Sequence, residues 1–260
     1  MTRVVVIEVS EEVVSLSWSA LVAEYPRFEQ FVFGEGQPVT GTEWVAESVR
    51  AGADQFRMPS EKSLAQLWLY SFCNAVVTPA VFLMVEFEEL PSLDFASGSL
   101  SANGFWGSFS TASLASSQEE SGASLARSIA PLIDALSAEF GVRPAPLWAI
   151  VADGLRQSAL EAGNASFDPA AGVRVAAALS TGFAAAAPGE VPAVEYQAIV
   201  DGAFLPVESA EDVTDEMYVL ARRTSCCMVY RSPGSGLCTS CPKQDATTRD
   251  RALMTLAEYS

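Results

Sequence analysis

The longest uninterrupted apolar pattern in the chain is residues 63–85, SLAQLWLYSFCNAVVTPAVFLMV, which contains no charged side chain. Its length matches a bilayer span. Gln66, Ser71, Asn74 and Thr78 interrupt it, however, and Pro79 would kink it. Polar groups at that frequency are costly in lipid, so the run is read as a buried core helix in which Cys73 is an inert thiol. Elsewhere the period changes. VVVIEV (residues 4–9) is a β-branched run and reads as a strand, and RFEQFVF (residues 27–33) alternates and reads as a second, short one. Residues 11–24 and 42–51 carry helical spacing.

The middle of the chain is largely helical. Residues 97–124 are rich in serine but carry Phe105, Trp106 and Phe109, which predicts a hairpin or loop with buried aromatics. Residues 123–140 and 146–162 have amphipathic helical patterns, the first closed by Gly141. Asp168-Pro169 starts an alanine-rich helix that stops near Ala187-Pro188-Gly189. Residues 194–208 alternate around Asp201-Gly202, the signature of a β-hairpin. Residues 218–226 read as a strand leading into a cysteine pair, and residues 246–259 as a helix with Leu253 and Leu256 facing inward. The expected class is α+β: mixed strands, a helical middle, and a division into a body (1–215) and a short C-terminal segment (216–260).

Charge narrows the function. With 15 basic against 32 acidic side chains, net −17, the chain is not expected to bind a nucleic-acid backbone unaided. The balance reverses locally. From Ala221 onward six basic residues face three acidic ones, about +3. Histidine is absent altogether, which removes Ser-His and Cys-His nucleophile pairs, mixed zinc sites and Rieske-type ligation. The first residues, MTRVVVIEVSEEVV, lack a signal-peptide pattern, so a cytoplasmic setting with reduced thiols is expected.

Four of the five cysteines stand within residues 226–241: the adjacent pair Cys226 and Cys227, then Cys238 and Cys241 as a CxxC. Structural zinc wants two CxxC knuckles, and only one is present. A disulfide between neighbours is strained and ill suited to a reducing compartment, and no βαβ context supports a thioredoxin-like pair. A [2Fe–2S] cluster needs four thiolates, two per iron, and its elongated core accepts ligands from diverging directions. Pro233-Gly234-Ser235-Gly236 would turn the chain between the pairs and let backbone N–H groups approach the sulfurs. Arg222, Arg223 and Arg231 would offset the negative charge of such a cluster.

Arg222-Arg223-Thr-Ser-Cys226-Cys227, followed by Tyr230-Arg231 and by Cys238-x-x-Cys241-Pro242, resembles the C-terminal signature of the FhuF-like ferric siderophore reductases. The spacing Cys-Cys-x10-Cys-x2-Cys is reproduced in full. Upstream, Trp68–Tyr70 and Leu147-Trp148 are similar only in a general way. The resemblance implies a [2Fe–2S] cluster on Cys226, Cys227, Cys238 and Cys241. It further implies one-electron reduction of siderophore-bound Fe(III), which releases iron because ferrous iron binds hard oxygen ligands weakly. The body would then carry the siderophore-binding surface and the C-terminal segment the cluster.

The chain's negative charge favours a hydroxamate-type chelate over a trianionic catecholate. No GxGxxG or flavin motif is present, so a separate donor such as a ferredoxin or reductase is expected. Association with a membrane surface stays open, but an integral span is not expected. The alternative reading is a [2Fe–2S] electron carrier or sensor without siderophore reductase activity.

Overall fold

In the computed structural model, which describes residues 16–189 and 191–258, the first helix is α1 (Trp18–Glu24). The strand expected at residues 4–9 and the start of the helix expected at 11–24 lie outside the described residues. Residues 27–33 are not a strand. A 3₁₀ turn at Pro26–Phe28 leads into the short helix α2 (Glu29–Val32). The reason is visible in the burial: Phe28 and Val32, four apart, are buried together as on one helical face, while Phe33 is exposed. Proline, favoured at the first helical position, starts the turn.

Strand β1 (Gln37–Pro38) and helices α3 (Val45–Ala51) and α4 (Ala53–Phe56) follow. The apolar run becomes helices α5 (Glu61–Val76) and α6 (Thr78–Glu86), separated at Val77 with Pro79 in the first turn of α6. Over the most apolar window of this pair, 89% of the residues are buried inside the protein. Trp68 shows what the burial achieves. Its ring stacks on Phe72 with centroids 5.0 Å apart, and its indole N–H donates to the Ser48 hydroxyl at 2.9 Å. Each large apolar side chain buried this way contributes roughly 1.5–3 kcal/mol.

The serine-rich stretch forms the hairpin β2 (Gly98–Asn103) and β3 (Trp106–Thr111), antiparallel, with β1 on its outer side. Phe105 and Phe109 are buried, and Trp106 is partly exposed. Three long helices come next: α7 (Gln118–Phe140), α8 (Pro144–Ala165) and α9 (Pro169–Ala186). Ser117 caps α7 by accepting the Glu120 N–H, Gly141 ends it at φ +64°, and Asp168 caps α9 by accepting the Ala171 N–H. Where α7 and α9 cross, a Cβ on Gly182 would lie 1.8 Å from the Glu119 carbonyl oxygen, so only glycine permits this approach.

The second sheet has the order β5-β4-β6, from β4 (Tyr196–Val200), β5 (Ala203–Val207) and β6 (Tyr218–Ala221), all antiparallel. Asp201 (φ +48°) and Gly202 (φ +73°) make its tight turn. The expected strand at 218–226 thus stops at Ala221, before the cysteines. Helix α10 (Ala246–Glu258) packs Leu253 and Ala257 against Ile199 and Leu220. Leu256 does not face inward with Leu253. It is 43% exposed, because the contact row of α10 follows i, i+4 spacing and not i, i+3. The architecture is α+β with a helical middle, and the division drawn at residue 215 falls between two strands of this one sheet.

Candidate metal centre

Helix α8 organises the C-terminal segment through two polar residues about three turns apart, hence on one face. Near its end, Asn164 pairs with β6 as a strand would: its amide N–H donates to the Val219 carbonyl at 2.8 Å, and its carbonyl accepts the Val219 N–H at 3.0 Å. In its middle, Asp153, only 3% exposed, reaches the chain immediately before the cysteine pair. Its carboxylate accepts four hydrogen bonds. The donors are Thr224 N–H (3.0 Å), Thr224 Oγ1 (3.2 Å), Ser225 N–H (2.7 Å) and Ser225 Oγ (2.6 Å). The sequence reading missed this residue. Its only local signal was one carboxylate inside the apolar stretch LWAIVADGL.

Beyond this clamp, Cys227 and Cys241 are buried, Cys226 and Cys238 are half-buried, and all four are free thiols. Met228 follows the pair at φ +66°, a left-handed conformation that costs a side-chain-bearing residue energy and turns successive N–H groups back toward the thiols. The backbone at Met228 favours the charged form of Cys226, and that at Val229 the charged form of Cys227. The Pro233-Gly234-Ser235-Gly236 stretch turns the chain as expected. Its glycines lie exposed, with Gly234 at φ +81° and the Ser235 N–H bonded to the Ser232 carbonyl. The second pair closes as a turn, Cys241 N–H to Cys238 O at 2.9 Å, and Gln244 Nε2 donates to the same carbonyl at 2.6 Å.

The three arginines diverge. Arg223 is buried, with Nη1 3.7 Å from the Cys238 sulfur and its guanidinium 4.8 Å from the Tyr70 ring centroid. Its Nε and Nη2 have no hydrogen-bond partner among the described residues. Arg222 turns away, donating to Gln197 at 2.7 Å and pairing with Asp250 of α10 at 3.3 Å. Arg231 reaches Ser63 Oγ on α5 at 3.3 Å.

The thiols share charge unequally. Cys227 is pushed down to about 6, first by a hydrogen bond from Cys238, with the Val229 N–H and Arg223 assisting against burial. Cys238, the donor in that bond, is raised by it and by burial. Cys226 is raised, mainly by burial. Cys73, deep in α5, is pushed up to about 12 by burial alone, as expected of an inert core thiol. A cavity of about 390 Å³ borders this region, lined by Gln66, Arg143, Pro146, Thr224 and Cys226 among others.

Among the described residues, no three Cys, His or carboxylate groups gather around a point suited to one metal ion. Two thiols facing each other, two more in the same loop, and a buried guanidinium with unspent donors fit a larger anionic group made of sulfur and iron. Four thiolates, two per iron, are the complement a [2Fe–2S] cluster requires. Residues 223–243 match the family model described as the FhuF 2Fe-2S C-terminal domain, so this segment of the chain is similar to an iron–sulfur-binding domain of that type. No match to the chain is found among curated proteins or among solved structures.

Proposed function

We propose that the protein is a ferric siderophore reductase in which Cys226, Cys227, Cys238 and Cys241 hold the cluster. A [2Fe–2S] cluster supplies, when bound, a one-electron redox couple. The residues around it do the rest. Asp153 holds the peptide before the first ligand pair, Arg223 places a buried positive charge against Cys238, and the backbone at Met228 and Val229 favours the thiolates of Cys226 and Cys227. One electron from a separate reduced protein passes to the chelated Fe(III), giving Fe(II), with no bond to carbon made or broken. The oxygen ligands then hold the ferrous ion weakly and it exchanges away.

The matched 2Fe-2S segment carries this reading, and the position of Cys226 supports it. That half-buried cysteine opens onto the 390 Å³ cavity, whose size suits part of a small chelate and whose rim offers the Gln66 amide, the Thr224 hydroxyl and the Arg143 guanidinium. The net charge of −17 disfavours a trianionic chelate, so a neutral or cationic hydroxamate complex is the expected substrate class. The cytoplasm is the expected site of action. The test is single-turnover mixing of anaerobically reduced holoprotein with a ferric hydroxamate in the presence of a ferrous-specific trap. Rapid reoxidation with one trapped Fe(II) per cluster is expected. Reoxidation no faster than in buffer overturns the reductase reading and leaves an electron carrier.

A further inference from the structure

The helix face that carries Asp153 has a use that its own helix does not explain. Its neighbour one turn on, Arg156, forms a buried ion pair with it at 3.9 Å but gives it no hydrogen bond, donating to Ser180 and the Pro192 carbonyl instead. The carboxylate's hydrogen bonds thus all come from Thr224 and Ser225, 71 and 72 residues distant. Both backbone N–H groups and both hydroxyls of these consecutive residues converge on it, three of the four donors on Oδ2 alone. A buried carboxylate needs such donors to remain charged, but two donors on the body would serve that purpose. Here all four come from the two residues that precede Cys226.

We propose that Asp153 is a positioning residue for the iron–sulfur ligands. It fixes the peptide from which the adjacent Cys226 and Cys227 must send their side chains in different directions, and it sets a negative charge behind them that Arg223 counterbalances on the Cys238 side. Adjacent residues in a free loop have no preference for two divergent, metal-directed side chains. A backbone clamped at two successive N–H groups does, which is how outer-shell groups generally act on metal ligands. The charge has a second consequence: a buried carboxylate disfavours the added electron, so it holds the cluster potential down.

The proposal rests on these cysteines being the ligands, and the experiment separates the two. Wild type, Asp153→Asn and Ser225→Ala are purified anaerobically and compared in visible absorption, iron and sulfide content, midpoint potential and electron paramagnetic resonance of the reduced state. In the apoproteins, the alkylation rate of Cys226 is followed by peptide mass mapping. For Asp153→Asn, cluster loss about tenfold faster is expected, with a higher midpoint potential, altered g-values and faster Cys226 alkylation. Ser225→Ala, which removes only one of the four bonds and leaves the carboxylate in place, should show smaller changes of the same sign in cluster lifetime and Cys226 alkylation, without a rise in potential, and carries the test if the asparagine variant fails to fold.

A wild type that holds no iron or sulfide overturns the ligand reading, and alkylation in the apoproteins then still decides the positioning role. Cluster lifetime, potential and alkylation all unchanged in folded variants overturn the proposal. A loss of thermal stability with those three unchanged assigns Asp153 to folding only, and likewise overturns it.

Discussion

The helical body and the cysteine loop are held by opposite means. In α5, α7, α8 and α9 the large fully buried side chains are Trp68, Phe72, Leu125, Ile129 and Phe183 among others, a mainly apolar interior. From residue 222 to 245 the buried side chains are Arg223, Ser225, Cys227, Ser232 and Cys241, while Leu237 is left exposed. No aliphatic or aromatic side chain of the loop is buried there. The body can therefore fold by excluding water, whereas the loop depends on directed contacts from the body and on the group it binds. Stability and chemistry reside in different stretches of chain.

That contrast can be broken from either side. The largest effect is expected for Cys227→Ser, which should abolish the visible absorption and the bound iron. The unfolding free energies of apo wild type and apo variant should still agree within about 1 kcal/mol, as measured by denaturant titration with far-ultraviolet circular dichroism. A variant that keeps its spectrum removes Cys227 from the ligand set. Trp68→Ala attacks the other side. Losing the buried ring and its bond to Ser48 should cost the body about 3–5 kcal/mol, read in the same titration. Arg223→Gln sits on the seam between the two regions and should act least on folding. Removing its charge should lower the midpoint potential by roughly 60 mV or less, 59 mV being the one-electron equivalent of tenfold. A rise in potential would show that the guanidinium does not act on the cluster electrostatically.

What could be read from sequence follows the same division. Local signals were legible because their physics is local: Asp201-Gly202 announced a hairpin, Asp168-Pro169 a helix start, Gly141 a helix end, and the cysteine spacing an iron–sulfur segment. Residues 27–33 were misread because Phe28, Phe31 and Phe33 alternate loosely enough to imitate a strand, while the burial of Phe28 and Val32 follows a helical turn. Asp153 was invisible for another reason. Its partners are more than seventy residues away, and nothing in its own helix says which distant backbone it will clamp. Arg222 and Arg223 are neighbours in sequence, yet one answers Asp250 and the other Cys238, a difference decided by the end of β6 and not by residue type.

The pairing of Arg222 with Asp250 has a consequence for how the protein takes up its cofactor. These two residues stand at the two ends of the cysteine loop, and the strand and helix that carry them are already joined through Leu220 and Leu253. The loop is thus closed at its base by contacts that involve none of its cysteines. Most of the entropy of bringing its ends together is spent when the sheet and helix assemble, so a cluster arriving later has only the slack within the loop to order. The ends of the cysteine loop are thereby held by the body and not by the cysteines themselves.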